Sequence, residues 1–176
     1  VPPVAGHPTS PSTFFIGTYR LWRSLSGGKK GTWKPISGDL TGGPGSAPCV
    51  FGGFGAEDDT LTAIGLSRSA PTTLYTGSAG GVVSVTTDDG ATWKSVASPA
   101  MPNRWVSGFA VDPADPNIVS VGFSGFDATT PDRPGHVFRS TDGGASWPLS
   151  DIGMDAPVNH LIGHPSVRGL LYAATD

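Results

Sequence analysis

The sequence predicts an all-β fold. Three observations carry that expectation. Apolar runs are short and rich in Val, Ile, Phe, Tyr and Trp, as in Thr13-Phe14-Phe15-Ile16-Gly17 and Ile118-Val119-Ser120-Val121-Gly122. Turn residues interrupt these runs every eight to twelve positions or so, the spacing of an antiparallel all-β chain. No convincing stretch sustains apolar residues at i, i+3, i+4 and i+7, the periodicity of an amphipathic helix. Gly (26) and Pro (17) are abundant. Such a content signals either disorder or many tight turns, and the apolar runs between the breakers select turns. A length of 176 residues suits one domain.

Composition also excludes. Only 14% of residues are charged and the net charge is -3. That leaves no basic footprint, so nucleic acid is not an expected partner. No apolar run approaches the roughly 20 residues of a membrane-spanning helix. The single cysteine, Cys49, rules out an internal disulfide and a cysteine-built zinc site. The opening Val1-Pro2-Pro3 has neither Met nor a signal-peptide pattern and reads as a processed chain or a piece of a longer one.

Internal repeats organise the elements. One segment type, a short strand, a Pro-bearing turn and an apolar strand, occurs four times. Its copies run from Val4 to Gly17, from Ile64 to Gly77, from Ala110 to Gly122 and from Ile162 to Ala174. His7 and His164 occupy equivalent Gly-His-Pro turns, and repetition argues for a turn role. No His-x-His spacing exists, and no acidic cluster has alternate-ligand spacing; His160 and His164 stand four apart, but His164 belongs to the repeated Gly-His-Pro turn, so no metal and no cofactor are expected.

A second segment type follows the first three copies. It is a strand, a polar Gly-rich turn and a strand opening with Trp. Two copies are sharp: Thr86-Thr87-Asp88-Asp89-Gly90-Ala91-Thr92-Trp93 and Ser140-Thr141-Asp142-Gly143-Gly144-Ala145-Ser146-Trp147. The third, Ser24 to Trp33, lacks the Asp and is two residues longer. A carboxylate in such a turn accepts from unpaired backbone N–H groups. Gly supplies positive φ, and Trp is expected to pack between neighbouring sheets. Asp88 and Asp142 therefore read as structural.

These turns resemble the Asp-box, S/T-x-D-x-G-x-S/T-W, of sialidase-type (BNR) repeat β-propellers. Thr86, Asp88, Gly90 and Trp93 match it, as do Ser140, Asp142, Gly144 and Trp147, with Trp33 in the degenerate copy. The repeat texture is similar to the propellers of xyloglucanase-type and sortilin-type proteins and of photosynthetic assembly factors. The resemblance implies four-stranded antiparallel blades. Blade 1 is expected at about 4–37, blade 2 at 61–97, blade 3 at 106–150, and a half blade at 159–175, with a long loop at 38–59. About three and a half blades do not close a ring. The remaining blades would come from a longer chain or from other copies.

Loop lengths point to a functional face. Strand B to Trp spans 16 residues in blades 1 and 2, but 25 in blade 3, from Gly122 to Trp147. A second insertion lies near residues 38–59. In a meander of blades both insertions fall on one face, opposite the box turns, and long loops on a compact scaffold often carry function. The first loop holds Phe51, Phe54, Glu57 and Asp58; the second holds Phe126, Asp127, Asp132 and Arg133; Arg104 and Trp105 face the same way. Aromatics beside carboxylates and Arg suit a polar ring-shaped ligand such as a sugar. Tolerated surface insertion remains the bland alternative.

The residues of a sialidase site are incomplete. Its Arg-Ile-Pro opening has no counterpart, and Tyr75 and Tyr172 lie in strands. Xyloglucan-cleaving relatives use two carboxylates flanking a cleft between propellers. An Asp127–Asp132 pair could be written into that role, with surface solvation as the competing reading. Three functions remain open: a non-catalytic scaffold for a carbohydrate or protein ligand, a fragment of a propeller glycoside hydrolase, and an assembly or stability factor. The resemblance and low Lys content suggest an extracellular or periplasmic home.

Overall fold

The computed structural model describes residues 2–42, 60–150 and 156–176. Among these, thirteen strands form four antiparallel sheets, with one 3-10 turn at Asp127–Thr129. The first sheet contains β1 (Val4–Gly6), β2 (Phe14–Gly17), β3 (Leu21–Ser24) and β4 (Lys34–Pro35). The second contains β5 (Leu61–Leu66), β6 (Leu74–Ser78), β7 (Val83–Thr86) and β8 (Lys94–Ser95). The third contains β9 (Val106–Val111), β10 (Val119–Phe123) and β11 (Val137–Ser140). The last pairs β12 (Val158–Gly163) with β13 (Leu171–Thr175). Each strand pairs with its neighbours in sequence, so every sheet is a meander. The architecture is an all-β partial propeller.

Blade 3 differs from the expected four strands. Its fourth strand shrinks to an isolated bridge, Phe138↔Leu149. The cause is Pro148, which follows the box Trp. Its carbonyl accepts from Arg139 N–H at 3.0 Å, but a proline has no N–H to return. In blades 1 and 2 the same position is Lys34 or Lys94, and a two-residue strand forms.

The turns from the first to the second strand of each repeat share one device. A side-chain acceptor binds backbone N–H groups two or three residues on. His7 Nδ1 takes Thr9 N–H (3.2 Å), Ser67 Oγ takes Ala70 N–H (3.1 Å), and Asp112 Oδ1 takes Ala114 and Asp115 N–H (2.9 and 3.1 Å). His164 Nδ1 takes Ser166 and Val167 N–H (3.2 and 2.9 Å). The Gly-His-Pro histidines serve the turns, as their repetition suggests.

The core consists of three seams between sheets. Phe15, Leu21, Leu61 and Leu74 fill the first. Tyr75, Val83, Val106, Val121, Phe123 and Trp147 anchor the second, and Ala110, Val137, Val158 and Leu161 the third. Burial patterns follow from this. β6 and β10 are buried at every residue, because each lies in a sheet covered on both faces. β2 alternates, and β13 is almost wholly exposed. Close approach explains a repeated glycine: a Cβ at Gly17 would stand 2.9 Å from Leu61 Cβ, and one at Gly77 would collide with Val106.

Candidate functional site

The box turns come first, because their residues are the most regular feature of the sequence. In blade 2, Thr86 Oγ1 accepts Asp88 and Gly90 N–H (3.3 and 3.0 Å) and donates to Asp88 Oδ1 (2.7 Å). Asp88 then accepts the Thr92 N–H at Oδ1 (2.8 Å) and the Thr92 hydroxyl at Oδ2 (2.6 Å). Ser140, Asp142, Gly144 and Ser146 repeat these bonds in blade 3. The Thr92 hydroxyl, the Thr92 N–H and the Thr86 hydroxyl hold the Asp88 carboxyl down at about 2. For Asp142 the Ser146 and Ser140 hydroxyls and the Ser146 N–H likewise hold it at about 2. In blade 1, which lacks the Asp, Ser24 Oγ still accepts Ser26 and Gly28 N–H, and the Thr32 hydroxyl sits 2.7 Å away.

The tryptophans act between blades. Trp93 Nε1 donates to Ile36 O (2.9 Å) and Trp147 Nε1 to Val96 O (2.7 Å). Each indole thus bolts its blade to the outer edge of the preceding one. Trp33 instead donates to Gly28 O of its own turn (3.2 Å). Gly90 carries φ +89, and a Cβ there would lie 2.8 Å from Ile36 O, so both conformation and contact require glycine. Arg23 adds an ion pair across the first seam, Nη1 to Asp89 Oδ2 at 2.5 Å.

Of the two expected insertions, only the one between β10 and β11 lies wholly within the described residues, and it falls on the face opposite the box turns. Phe51, Phe54, Glu57 and Asp58 lie outside the described residues. The loop between β10 and β11 is described and is well braced. Arg104 is buried, and its guanidinium is directed into this loop, not to solvent. It donates to Gly125 O (2.9 Å), Gly135 O (2.5 Å) and Asp127 Oδ1 (3.1 Å). The same Asp127 oxygen accepts Gly135 N–H at 2.9 Å and stands 3.4 Å from Nε2 of fully buried His136. Ser124 N–H donates to Trp105 O (2.9 Å), joining the loop to the strand entry.

Arg104 and Asp127 therefore meet each other rather than presenting free charges. Other candidates remain outward. Trp105 is 37% and Phe126 53% exposed, and Asp132 is exposed. Arg133 donates to Asn103 Oδ1 (2.8 Å), and with Thr129, Thr130, Pro131 and Asp132 these residues line a shallow concavity of about 180 Å³. Sequence reasoning did not connect His136 to this group. A histidine between Gly135 and an apolar strand carries no spacing that ties it to Asp127.

Two further groups are structural in chemistry. Tyr75 donates its hydroxyl to Pro116 O (3.0 Å); burial, then the charges of Asp115 and Asp142, push its pKa up to about 12. Asp112 pairs with Arg168 (3.2 Å) across the third seam. Burial pushes the Asp112 carboxyl up, but the Ala114 N–H and Arg168 outweigh it, and the net shift is downward. Among the described residues no group of three or more His, Cys, Asp or Glu side chains is placed to hold a metal ion. No helix among them is long and apolar enough to cross a membrane.

No family model and no curated protein matches the chain. Solved structures do. The GH74 xyloglucanase from Xanthomonas campestris superposes with a TM-score of 0.69 at 19% identity, over 98% of this chain and 26% of that one. An ancestral GH74 enzyme gives 0.63 at 19% identity, over 98% of this chain and 21% of that one. YCF48 bound to a D1 peptide gives 0.56 at 14% identity, over 94% of this chain and 48% of that one. The chain thus spans between about a fifth and a half of the proteins it resembles, and at these identities the shared property is the propeller fold.

Proposed function

We propose that this chain is a non-catalytic Asp-box propeller scaffold that binds a carbohydrate or protein ligand on its long-loop face. One observation carries the reading. The inserted loop between β10 and β11 is held rigid by Arg104 and Asp127 while Trp105 and Phe126 stay exposed beside it. Holding a loop in one conformation removes the ordering cost that binding would otherwise incur. Exposed aromatic rings on a face that also carries a polar concavity suit the apolar face and hydroxyls of a sugar, or a peptide. The likeness to a YCF48 structure bound to a peptide supports the protein arm. An extracellular or periplasmic setting accords with this reading.

The GH74 likeness favours a second reading, in which the chain is part of a propeller glycoside hydrolase with catalytic carboxylates partly elsewhere. Affinity electrophoresis through xyloglucan separates the two. A binder is retarded, and the Trp105→Ala and Phe126→Ala variants run free. A hydrolase releases reducing sugar from the gel polysaccharide. Unretarded migration of the parent chain in xyloglucan, with no retention on a peptide array, would remove the proposal.

A further inference from the structure

We propose that the open side of β13 is a docking site for a β-hairpin carrying a box turn with an Asp directly after the box Asp. Among the described residues β13 pairs on one side only, with β12. Its apolar surroundings are exposed: Ile162 52%, Leu170 41% and Tyr172 52%. The first two seams of this chain, where the later blade brings its own box hairpin, show what such a surface accepts, and the third repeats their receptors.

The first receptor is a carbonyl. In every blade the fourth residue of the box turn donates its N–H to the turn between strands one and two. Gly27 bonds Ser12 O (2.7 Å), Asp89 bonds Thr72 O (3.0 Å) and Gly143 bonds Asn117 O (3.0 Å). Each acceptor precedes a residue that closes its turn: Thr13, Thr73 and Ile118 accept from His7, Ser67 and Asp112. Leu170 closes the corresponding turn from His164, so Gly169 O is the fourth acceptor.

The second receptor is a cation. Arg23 stands one residue before the box Ser of blade 1 and pairs with Asp89, the fourth residue of the next blade's box. In blade 2 the same strand position is Val85, and the next blade answers with Gly143. In blade 3 it is Arg139, opposite Ser120 just as Arg23 is opposite Phe15. Among the described residues Arg139 joins no ion pair. Its Nη1 lies 3.9 Å from where a Cβ would stand on Gly169, beside the receptor carbonyl. An acid on the residue bonded to Gly169 O would therefore meet Arg139. The fourth box position has φ between 60 and 71 in all three blades, which Asp tolerates better than Glu.

The third receptor is for the indole. Ile36 and Val96 offer their carbonyls to the next Trp while their own N–H groups bond Leu21 O and Val83 O. Ser150 N–H makes the same bond to Val137 O (2.8 Å), which sets Ser150 O in the equivalent place. Strand register completes the description. The box Ser or Thr sits opposite Phe14, Leu74 and Val119, the equivalents of Leu171. Leu21, Val83 and Val137 sit opposite Gly17, Gly77 and Gly122, the equivalents of Ala174. The occupant thus reads apolar-x-x-Ser/Thr-x-Asp-Asp-Gly-x-Ser/Thr-Trp. A second copy of this chain has its three box hairpins built into its own sheets, which leaves them no strand to lend.

A peptide of residues 81–96 fits this pattern and serves as the probe. It is titrated into the full isotope-labelled chain while amide exchange is followed by NMR. The expected result is slowed exchange of amides in 171–175 and at 139. Affinity should fall about fivefold for Asp89→Ala in the peptide, and equally for Arg139→Ala in the chain, with no further loss when both are combined. Arg139→Glu should regain affinity for a peptide bearing Asp89→Lys. Three results would overturn the proposal: unchanged exchange in 171–175 at millimolar peptide, equal affinity of the parent and Asp89→Ala peptides, or sedimentation showing that the chain self-associates through β13.

Discussion

Asp88 and Asp142 sit in solvent yet titrate at about 2, because four donors in each turn favour the charged form. A carboxylate whose folded pKa lies below its unfolded value of 3.8 contributes stability above that value. The contribution is lost as pH falls through the folded value. The melting temperature should therefore hold from pH 7 to about 4 and drop between about 4 and 2. An Asp88→Asn, Asp142→Asn double variant should melt lower at pH 7 and show a flatter acid limb; parallel limbs in calorimetry would reject the linkage. Trp147→Ala should cost about 3–5 kcal/mol in urea denaturation, since the ring is buried and its N–H bonded. Trp33→Ala should cost clearly less, because Trp33 bonds within its own turn. The Ser, Asp and Gly roles could be read in the sequence, since the bonded partners lie within a few residues. The indole acceptors could not: Ile36 lies 57 residues before Trp93, and a backbone carbonyl has no sequence signature.

At the scale of elements, the loop between β10 and β11 is the instructive case. Sequence reasoning located it from the spacing of Gly122 and Trp147 but assigned Arg104 to the ligand-facing set. The structure turns that guanidinium inward, onto two glycine carbonyls. Glycine carbonyls are as silent in sequence as those of Ile36 and Val96, so neither partner could be foreseen. Arg104→Ala leaves Gly125 O, Gly135 O and Asp127 without their buried donor and should cost about 3 kcal/mol. Arg104→Lys keeps the charge but loses the fork and should fall between. Limited proteolysis should show the loop cut faster in both; unchanged cutting would mean that the loop is held elsewhere. Proline acts more simply. Pro148 ends a ladder that Lys34 and Lys94 continue, and Pro148→Lys should restore a two-residue strand, seen as slowed exchange of its new amide.

The whole molecule is a row of sheets joined by seams, so its stability is close to a sum of blade and nearest-neighbour contributions. Gly77 tests this coupling. A methyl there meets Val106 of the next blade, and Gly77→Ala should cost about 1–3 kcal/mol through overpacking at the second seam. Exchange should quicken in β6 and β9 and stay near its parent rate in β1; uniform acceleration would indicate one indivisible cooperative unit. Blade count and order were readable because the pattern repeats. Which faces touch was readable only through the repeated strand-two glycine, whose reason lies in the neighbouring blade. The indole bolts also have a direction: each runs from a later Trp to an earlier carbonyl. A chain leaving the ribosome has therefore made the acceptor before the donor at the first and second seams. Blades 1 and 2 can lock as soon as Trp93 emerges, and blades 2 and 3 at Trp147. Assembly can proceed in the order of synthesis, with each new blade closing onto a finished surface and no need to wait for the last one.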